Sequence, residues 1–317
     1  METLSKFIER INTEGKFTGA VHFDEPMSTH TSFKIGGKAD VWIRPDKHIF
    51  TDYSARLLKE AREEGFPVFI LGAGANILVS DKGIRGIVLD TGAWTGIVGE
   101  FNHKGTDDTK LKVLSGTQID WLADELASGG FSGMEFLAGM PGTVGGAVWM
   151  NARCYGKSIS DVLLETEILD EGFEVKVIPY KKEDFDYKKS PFQEMECLIL
   201  SASFALQRED RGDILDEMGF NRQDRREKGQ FHFPSAGSAF KNNPAFGEPT
   251  GKIIDSLGLK GFKIGGAQVS PLHGNIVFNT GEASAEDVKN LMEEVARRVK
   301  EEKGFDLESE IYLVGDW

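Results

Sequence analysis

Apolar residues recur at helical spacing in several well-separated stretches. Near the N-terminus Leu4, Phe7, Ile8 and Ile11 share one face with charges between them, which predicts an amphipathic helix. Residues 46–64 predict a second helix ending at Gly65. Ile119, Leu122, Ala123 and Leu126 predict a third, closed by Gly129 and Gly130. The longest lies toward the C-terminus, where Ser284 can cap, Asp287 follows three residues later, and Val288, Leu291, Met292, Val295 and Val299 form a buried stripe. Ile214, Leu215 and Met218 keep helical spacing inside the charged text of residues 208–228, read as the passage into a new domain. Apolar runs bounded by glycine or charge predict strands at 67–71, 77–81, 86–92, 111–118 and 197–207, the last apolar enough for a sheet interior. ETEILD (165–170) and FEVKVIP (173–179), joined across Glu171 and Gly172, predict a hairpin, and the chain closes on a strand at EIYLVG. The mixture is that of an α+β chain without internal repeats.

Composition narrows what such a chain can do. At 317 residues it has room for two or three domains. Its 37 lysines and arginines against 51 acids give a net charge of -14, which argues against a nucleic-acid partner and leaves any phosphate to local loops. The amphipathic start is unlike a signal region, so a cytoplasmic location is expected. The most apolar stretch, residues 66–79, is broken by glycines and is shorter than the roughly 20 apolar residues of a membrane span, so no membrane insertion is expected. Only Cys154 and Cys197 are present, and the six histidines are scattered, so neither a disulfide framework nor a metal site is expected.

Two glycine-rich stretches carry candidate chemistry. Gly72-Ala73-Gly74-Ala75-Asn76 follows a predicted strand, but the third glycine of a dinucleotide fingerprint is missing and a second strand follows in place of the helix. What remains is a loop whose backbone amides can approach an anion, or a tight turn. Gly139, Gly142, Gly145, Gly146 and Ala147, with Pro141 and Thr143 between them, leave backbone almost bare of side chains, suited to a large ligand or to close helix packing. Two such loops suggest a bulky nucleotide cofactor held without a Rossmann fold. A third stretch, HFPSAGSAFKNNP (232–244), sets Ser235 and Ser238 around Ala-Gly, a pattern open to a nucleophile, a phosphate cradle, an acid catalyst or a turn. A serine hydrolase would need Gly-x-Ser-x-Gly and a histidine partner, and Phe240 stands where the second glycine should be.

HTSFKIGGKADVWIRP (30–45), LGAGANILVSDKGIRGIVLD (71–90), GMEFLAGMPGTVGGAVWMNA (133–152), PSAGSAFKNNP, IGGAQVS and LESEIYLVG together resemble the UDP-N-acetylenolpyruvoylglucosamine reductase family of bacterial cell-wall synthesis. The match runs in order along nearly the whole chain, and the lack of an extra loop in the last domain resembles the shorter, type II subclass. The resemblance implies an FAD-binding domain of the vanillyl-alcohol-oxidase type in two subdomains, residues 1–95 and 96–210, and an α+β substrate-binding domain, residues 211–317. It implies that NADPH reduces FAD, that hydride then passes to the enolpyruvyl group of a UDP-sugar, and that the neighbouring carbon is protonated. The chain is expected to act as a monomer or weak oligomer.

By the same resemblance Ser238 is the proton donor, while Ser235 is a turn residue. Glu310 matches the family's catalytic glutamate, which when protonated would donate a hydrogen bond to the developing enolate. Lys188 stands where the family has a catalytic arginine, keeping the charge without the bidentate fork. Tyr312 replaces a second arginine, Gln230 a proline, and Arg153 introduces a cation expected to restore part of the lost charge. Lys228, Lys241, Asn242, Tyr155 and Tyr187 match substrate positions, with Arg225 and Arg226 as further anion contacts. Gly72, Ala73, Gly74, Ala75 and Asn76 are expected to hold FAD with Gly139, Gly142, Thr143, Gly145 and Gly146, Ala75 lacking the usual serine hydroxyl. The competing reading is a non-catalytic or altered-substrate flavoprotein of the same fold.

Overall fold

The computed structural model describes residues 2–99 and 108–317. It carries mixed helix and strand. A four-stranded sheet has the order Gly19–Pro26, Lys38–Pro45, Ile84–Asp90, Val68–Leu71, the last two strands parallel. The chain divides into two compact units, the first of residues 1–22, 42–73 and 86–222 and the second of residues 23–41, 74–85 and 223–317.

The first unit is built on a six-stranded antiparallel sheet. Its central strand, Leu198–Arg208, is buried along most of its length, as its apolar text predicts. Leu163–Leu169 pairs with it on one side and Asp108–Leu114 on the other, with Ala202 opposite Thr166 and Val113. The hairpin forms as predicted, Leu169 opposite Val175, and the Asp170 carboxylate ties the turn by accepting from the amides of Gly172 and Glu174, each at 2.9 Å. The strand predicted at 111–118 ends four residues early. Gly116 donates to Trp94 O at 2.9 Å, and any Cβ there would collide with Thr91 O, so the chain leaves the ladder. Ile119–Ser128 covers this sheet with Leu122 and Leu126 inward. The helix predicted from residue 46 starts at Phe50, because Asp46 is extended and Lys47–Ile49 forms a 3₁₀ turn. It ends on Gly65 at φ +78°, a left-handed cap closed by its N–H on Ala61 O and Arg62 O.

In the second unit the helix Ala285–Lys303 lies against a three-stranded antiparallel sheet of Lys263–Ile264, Ala267–Val269 and Val277–Asn279. The predicted capping box forms: Ser284 Oγ accepts from Asp287 N at 3.0 Å and Asp287 Oδ2 from Ser284 N at 3.1 Å. Asp81 adds a carboxylate at the same end, accepting from Ala285 N at 2.8 Å and Glu286 N at 3.1 Å. The predicted stripe Val288, Leu291, Met292, Val295 and Val299 is buried in a core shared with Phe33, Ile35, Leu78 and Phe240. The closing strand, Tyr312–Val314, pairs in parallel with Ile77–Val79.

Candidate active site

The loop after Val68–Leu71 leads into a strand and not a helix, as the failed dinucleotide fingerprint implies. Leu71 O is held by both the amide and the hydroxyl of Thr91, at 2.9 and 3.1 Å. A Cβ on Gly72 would come within 2.7 Å of Thr143 Oγ1, so in the first unit the two glycine-rich stretches touch, the Thr143 side chain lying against bare Gly72. Gly74 sits at φ +60°, and a Cβ there would collide with His30 O. Ser32 N donates to Gly74 O at 3.1 Å. The amides of Gly72, Ala73, Gly74 and Ala75 donate to no protein acceptor among the described residues. Four successive amides left to an outside acceptor fit the diphosphate of a dinucleotide. Asn76 does something else with its side chain: Nδ2 donates to Glu310 O at 2.9 Å, and Asn76 O accepts from Tyr312 N at 3.1 Å.

The second stretch is used differently. Thr143 caps the short helix Val144–Trp149, Oγ1 accepting from Gly146 N at 3.3 Å. Val144 N and Gly145 N donate to Thr117 O and Ser115 O at 2.9 and 2.7 Å, and Gly139 N to Asp120 Oδ1 at 2.7 Å. These amides are spent inside the protein. A Cβ on Gly145 would come within 2.8 Å of Ser115 Cβ, so its bareness serves close packing, while Gly142, at φ +142°, is half-buried against Ile119 and Gly146 is exposed. Ser115 Oγ is buried without a hydrogen-bond partner among the described residues, an orphan donor beside this stretch. Free amides on one stretch and bare backbone on the other fit FAD.

Three more candidates lie in the first unit. Tyr155 and Lys188 have left-handed backbone, φ +49° and +58°. Tyr155 is 38% exposed, and its hydroxyl donates to Asn221 O at 3.0 Å. Lys188 is buried, and its carbonyl accepts from Gln193 Nε2 at 3.0 Å. Ser190 Oγ donates to Trp149 O at 2.6 Å and Asn151 Nδ2 to Asp186 O at 2.8 Å, which fixes the segment that bears Tyr187 and Lys188. Sequence reasoning missed these bonds, although Asn151 stands inside the motif NARCYG. The Arg153 guanidinium lies 5.8 Å from the Tyr187 ring centroid, so the added cation joins the patch that carries two expected substrate residues. If it holds substrate there, Arg153→Ala should raise KM for the UDP-sugar about tenfold, equal to about 1.4 kcal/mol. An unchanged KM in steady-state assays would refute the compensation.

The remaining candidates lie in the second unit. Glu310 is buried, and its N–H donates to Ala239 O at 2.9 Å, while Lys241 N donates to Glu308 O at 2.9 Å and Phe240 bridges Ser309. Residues 238–241 therefore run antiparallel beside 308–310, which brings the backbones of Ser238 and Glu310 together. The Ser238 hydroxyl is half-buried and has no hydrogen-bond partner among the described residues. Lys241 pairs with Glu308, Thr250 Oγ1 donates to Lys241 O at 2.8 Å, and Thr250 N to Asn242 Oδ1 at 2.9 Å. Lys228 pairs with Asp224 at 2.6 Å. Each ammonium has three donors, so a phosphate oxygen could join or displace the carboxylate. Arg225 is buried and Arg226 exposed. Burial raises the Tyr312 phenol above its ordinary value, so it stays a neutral donor where the motif resemblance leads one to expect an arginine.

Comparison with known proteins shows the family. A family profile described as the C-terminal domain of UDP-N-acetylenolpyruvoylglucosamine reductase matches residues 229–314, and one described as an FAD binding domain matches residues 51–176. The reductase of Caldanaerobacter subterraneus subsp. tengcongensis is 39% identical over 315 residues, 99% of each chain. The chain belongs to the UDP-N-acetylenolpyruvoylglucosamine reductase family. Another family member, from Treponema denticola, is 40% identical over 313 residues, covering 94% of this chain and 95% of its own. The crystal structure of the Thermus caldophilus reductase is 32% identical and superposes with a TM-score of 0.75, covering 94% of this chain and 99% of its own. The α+β class, the FAD-binding domain and the short subclass expected from the motifs all stand. Among the described residues no helix is long and apolar enough to cross a membrane.

Proposed function

We propose that the chain reduces the enolpyruvyl ether of UDP-N-acetylglucosamine enolpyruvate to the lactyl ether of UDP-N-acetylmuramate, in the cytoplasm. FAD, when bound and reduced by NADPH, would supply hydride chemistry toward the terminal carbon of the enolpyruvyl group. The chain's own residues do the rest. Charge develops on the neighbouring carbon and its carboxylate, and Ser238 Oγ–H gives that carbon its proton. A serine hydroxyl is a weak acid, but a carbanion-like centre is strongly basic, so placement outweighs acidity. Solvent then restores the serine proton. Glu310 stabilises the developing enolate, and by the resemblance Lys188 takes the catalytic arginine's role. Lys228, Lys241 and Asn242 hold the diphosphate, and Tyr155 and Tyr187 line the substrate.

The observation that carries this reading is the Ser238 hydroxyl, without a hydrogen-bond partner among the described residues, on a backbone tied to that of Glu310. A turn serine has no need of that fixed neighbour. Tyr312 in an arginine's position favours one other reading, a flavoprotein of this fold with an altered substrate. Following flavin absorbance through anaerobic reduction by NADPH and then addition of the enolpyruvyl UDP-sugar separates the two: only the assigned substrate should restore the oxidised flavin.

A further inference from the structure

We propose that Asn275 is a positioning residue for proton transfer, the amide clamp that fixes the backbone bearing Ser238. The inference rests on Ser238 as the proton donor. Asn275 is buried, 2% exposed, and its side chain takes both polar atoms of one residue: Oδ1 accepts from Phe240 N at 2.9 Å and Nδ2 donates to Phe240 O at 2.7 Å. A carboxamide presents a donor and an acceptor at the spacing of a peptide group, so it stands in for a neighbouring strand. The main chain completes the clamp. Asn275 O accepts from Ala239 N at 2.8 Å, and Ser238 bridges Ile276.

Three bonds therefore converge on the two residues that follow Ser238, and none of them involves its hydroxyl. The other edge of the same segment is held by Glu310 N on Ala239 O and Lys241 N on Glu308 O, both at 2.9 Å. Ser238 is left with a fixed Cα and Cβ and one rotatable bond to its oxygen, the condition under which a weak acid can still deliver a proton. The clamp is itself supported from below: Asn275 N donates to His273 Nδ1 at 3.2 Å. Burial, with Lys228 and Lys260 nearby, holds the His273 imidazole below its ordinary value, which keeps that ring nitrogen an acceptor.

Asn275→Asp is the discriminating variant, because it keeps the shape and the acceptor while the ionised carboxylate faces Phe240 O without a donor. In the FAD-loaded enzyme, bleaching by NADPH should keep its wild-type rate. Recolouring by saturating enolpyruvyl UDP-sugar should slow about a hundredfold, with little change in the substrate concentration giving half-maximal rate. The double variant Ser238→Ala/Asn275→Asp should recolour no more slowly than Ser238→Ala alone, since the clamp acts through the serine. Asn275→Ser provides a second variant if the aspartate does not fold, with the same pattern expected. Three outcomes overturn the inference: wild-type recolouring by a folded Asn275 variant beside a slow Ser238→Ala, equal slowing of bleaching and recolouring, or additive losses in the double variant. Wild-type recolouring by Ser238→Ala overturns the reading on which it rests.

Discussion

Ser238→Ala should bleach with NADPH at the wild-type rate and regain its flavin colour about 10² to 10⁴ times more slowly on addition of the enolpyruvyl UDP-sugar, the usual range for losing one positioned proton donor. The substitution removes an oxygen that bonds to nothing else among the described residues, so folding has little to lose. The bonds that shape the loop run from Ala239, Phe240 and Lys241 to Asn275, Glu308 and Glu310, and all of them survive. A selective loss in the second half-reaction therefore reports chemistry and not collapse. Stopped-flow absorbance under argon measures both steps. Recolouring at the wild-type rate would reduce PSAGS to a turn.

Gly74→Val should purify with little or no flavin. Gly74 lies at φ +60°, a conformation that costs a β-branched residue about 1 to 3 kcal/mol, and its new Cβ would also meet His30 O and come within 3.0 Å of Thr31 Cα. Backbone atoms cannot swing aside as a side-chain tip would, so the loop itself must shift. With it would move the amides of Gly72 to Ala75, which have no other acceptor among the described residues. Strain alone corresponds to about a 5- to 150-fold loss of FAD affinity. Gly65→Ala supplies the control. It imposes left-handed strain of about 1 kcal/mol at a helix end where a Cβ meets nothing within 4 Å, and should lower Tm while keeping full flavin. A yellow Gly74→Val with wild-type FAD content, read from the absorbance ratio of flavin to protein, would remove this loop from the cofactor site.

Much of this architecture was legible because it depends on local signals. The stripe Val288 to Val299, the cap at Ser284, the hairpin turn at Asp170 and the stop at Gly65 each follow from a few neighbouring residues, and each forms. The start of the helix at Phe50 was less legible, since a 3₁₀ turn can replace the first helical turn without changing apolar spacing. The glycines of the second stretch show the same limit. Text alone could not tell that Gly145 N is spent on Ser115 O while the amides of Gly72 to Ala75 stay available. The bonds that organise the candidate site were invisible for another reason. Asn76 reaches Glu310 across 234 positions and Asn275 reaches Phe240 across 35, and an asparagine that grips distant backbone leaves no periodicity. Motif resemblance supplied Ser238 and Glu310, whereas only coordinates could supply what fixes them.

The proposed activity requires this flavoprotein to pass its electrons to an enolpyruvyl UDP-sugar. The most direct measurement is one anaerobic titration of the purified yellow protein, first with one equivalent of NADPH and then with UDP-N-acetylglucosamine enolpyruvate. UDP-N-acetylglucosamine, which lacks the enolpyruvyl group, serves as the control. Bleaching by NADPH, no response to the control sugar and full return of the oxidised spectrum with the enolpyruvyl sugar is the predicted result. A flavin that NADPH bleaches and the enolpyruvyl sugar never restores would contradict it.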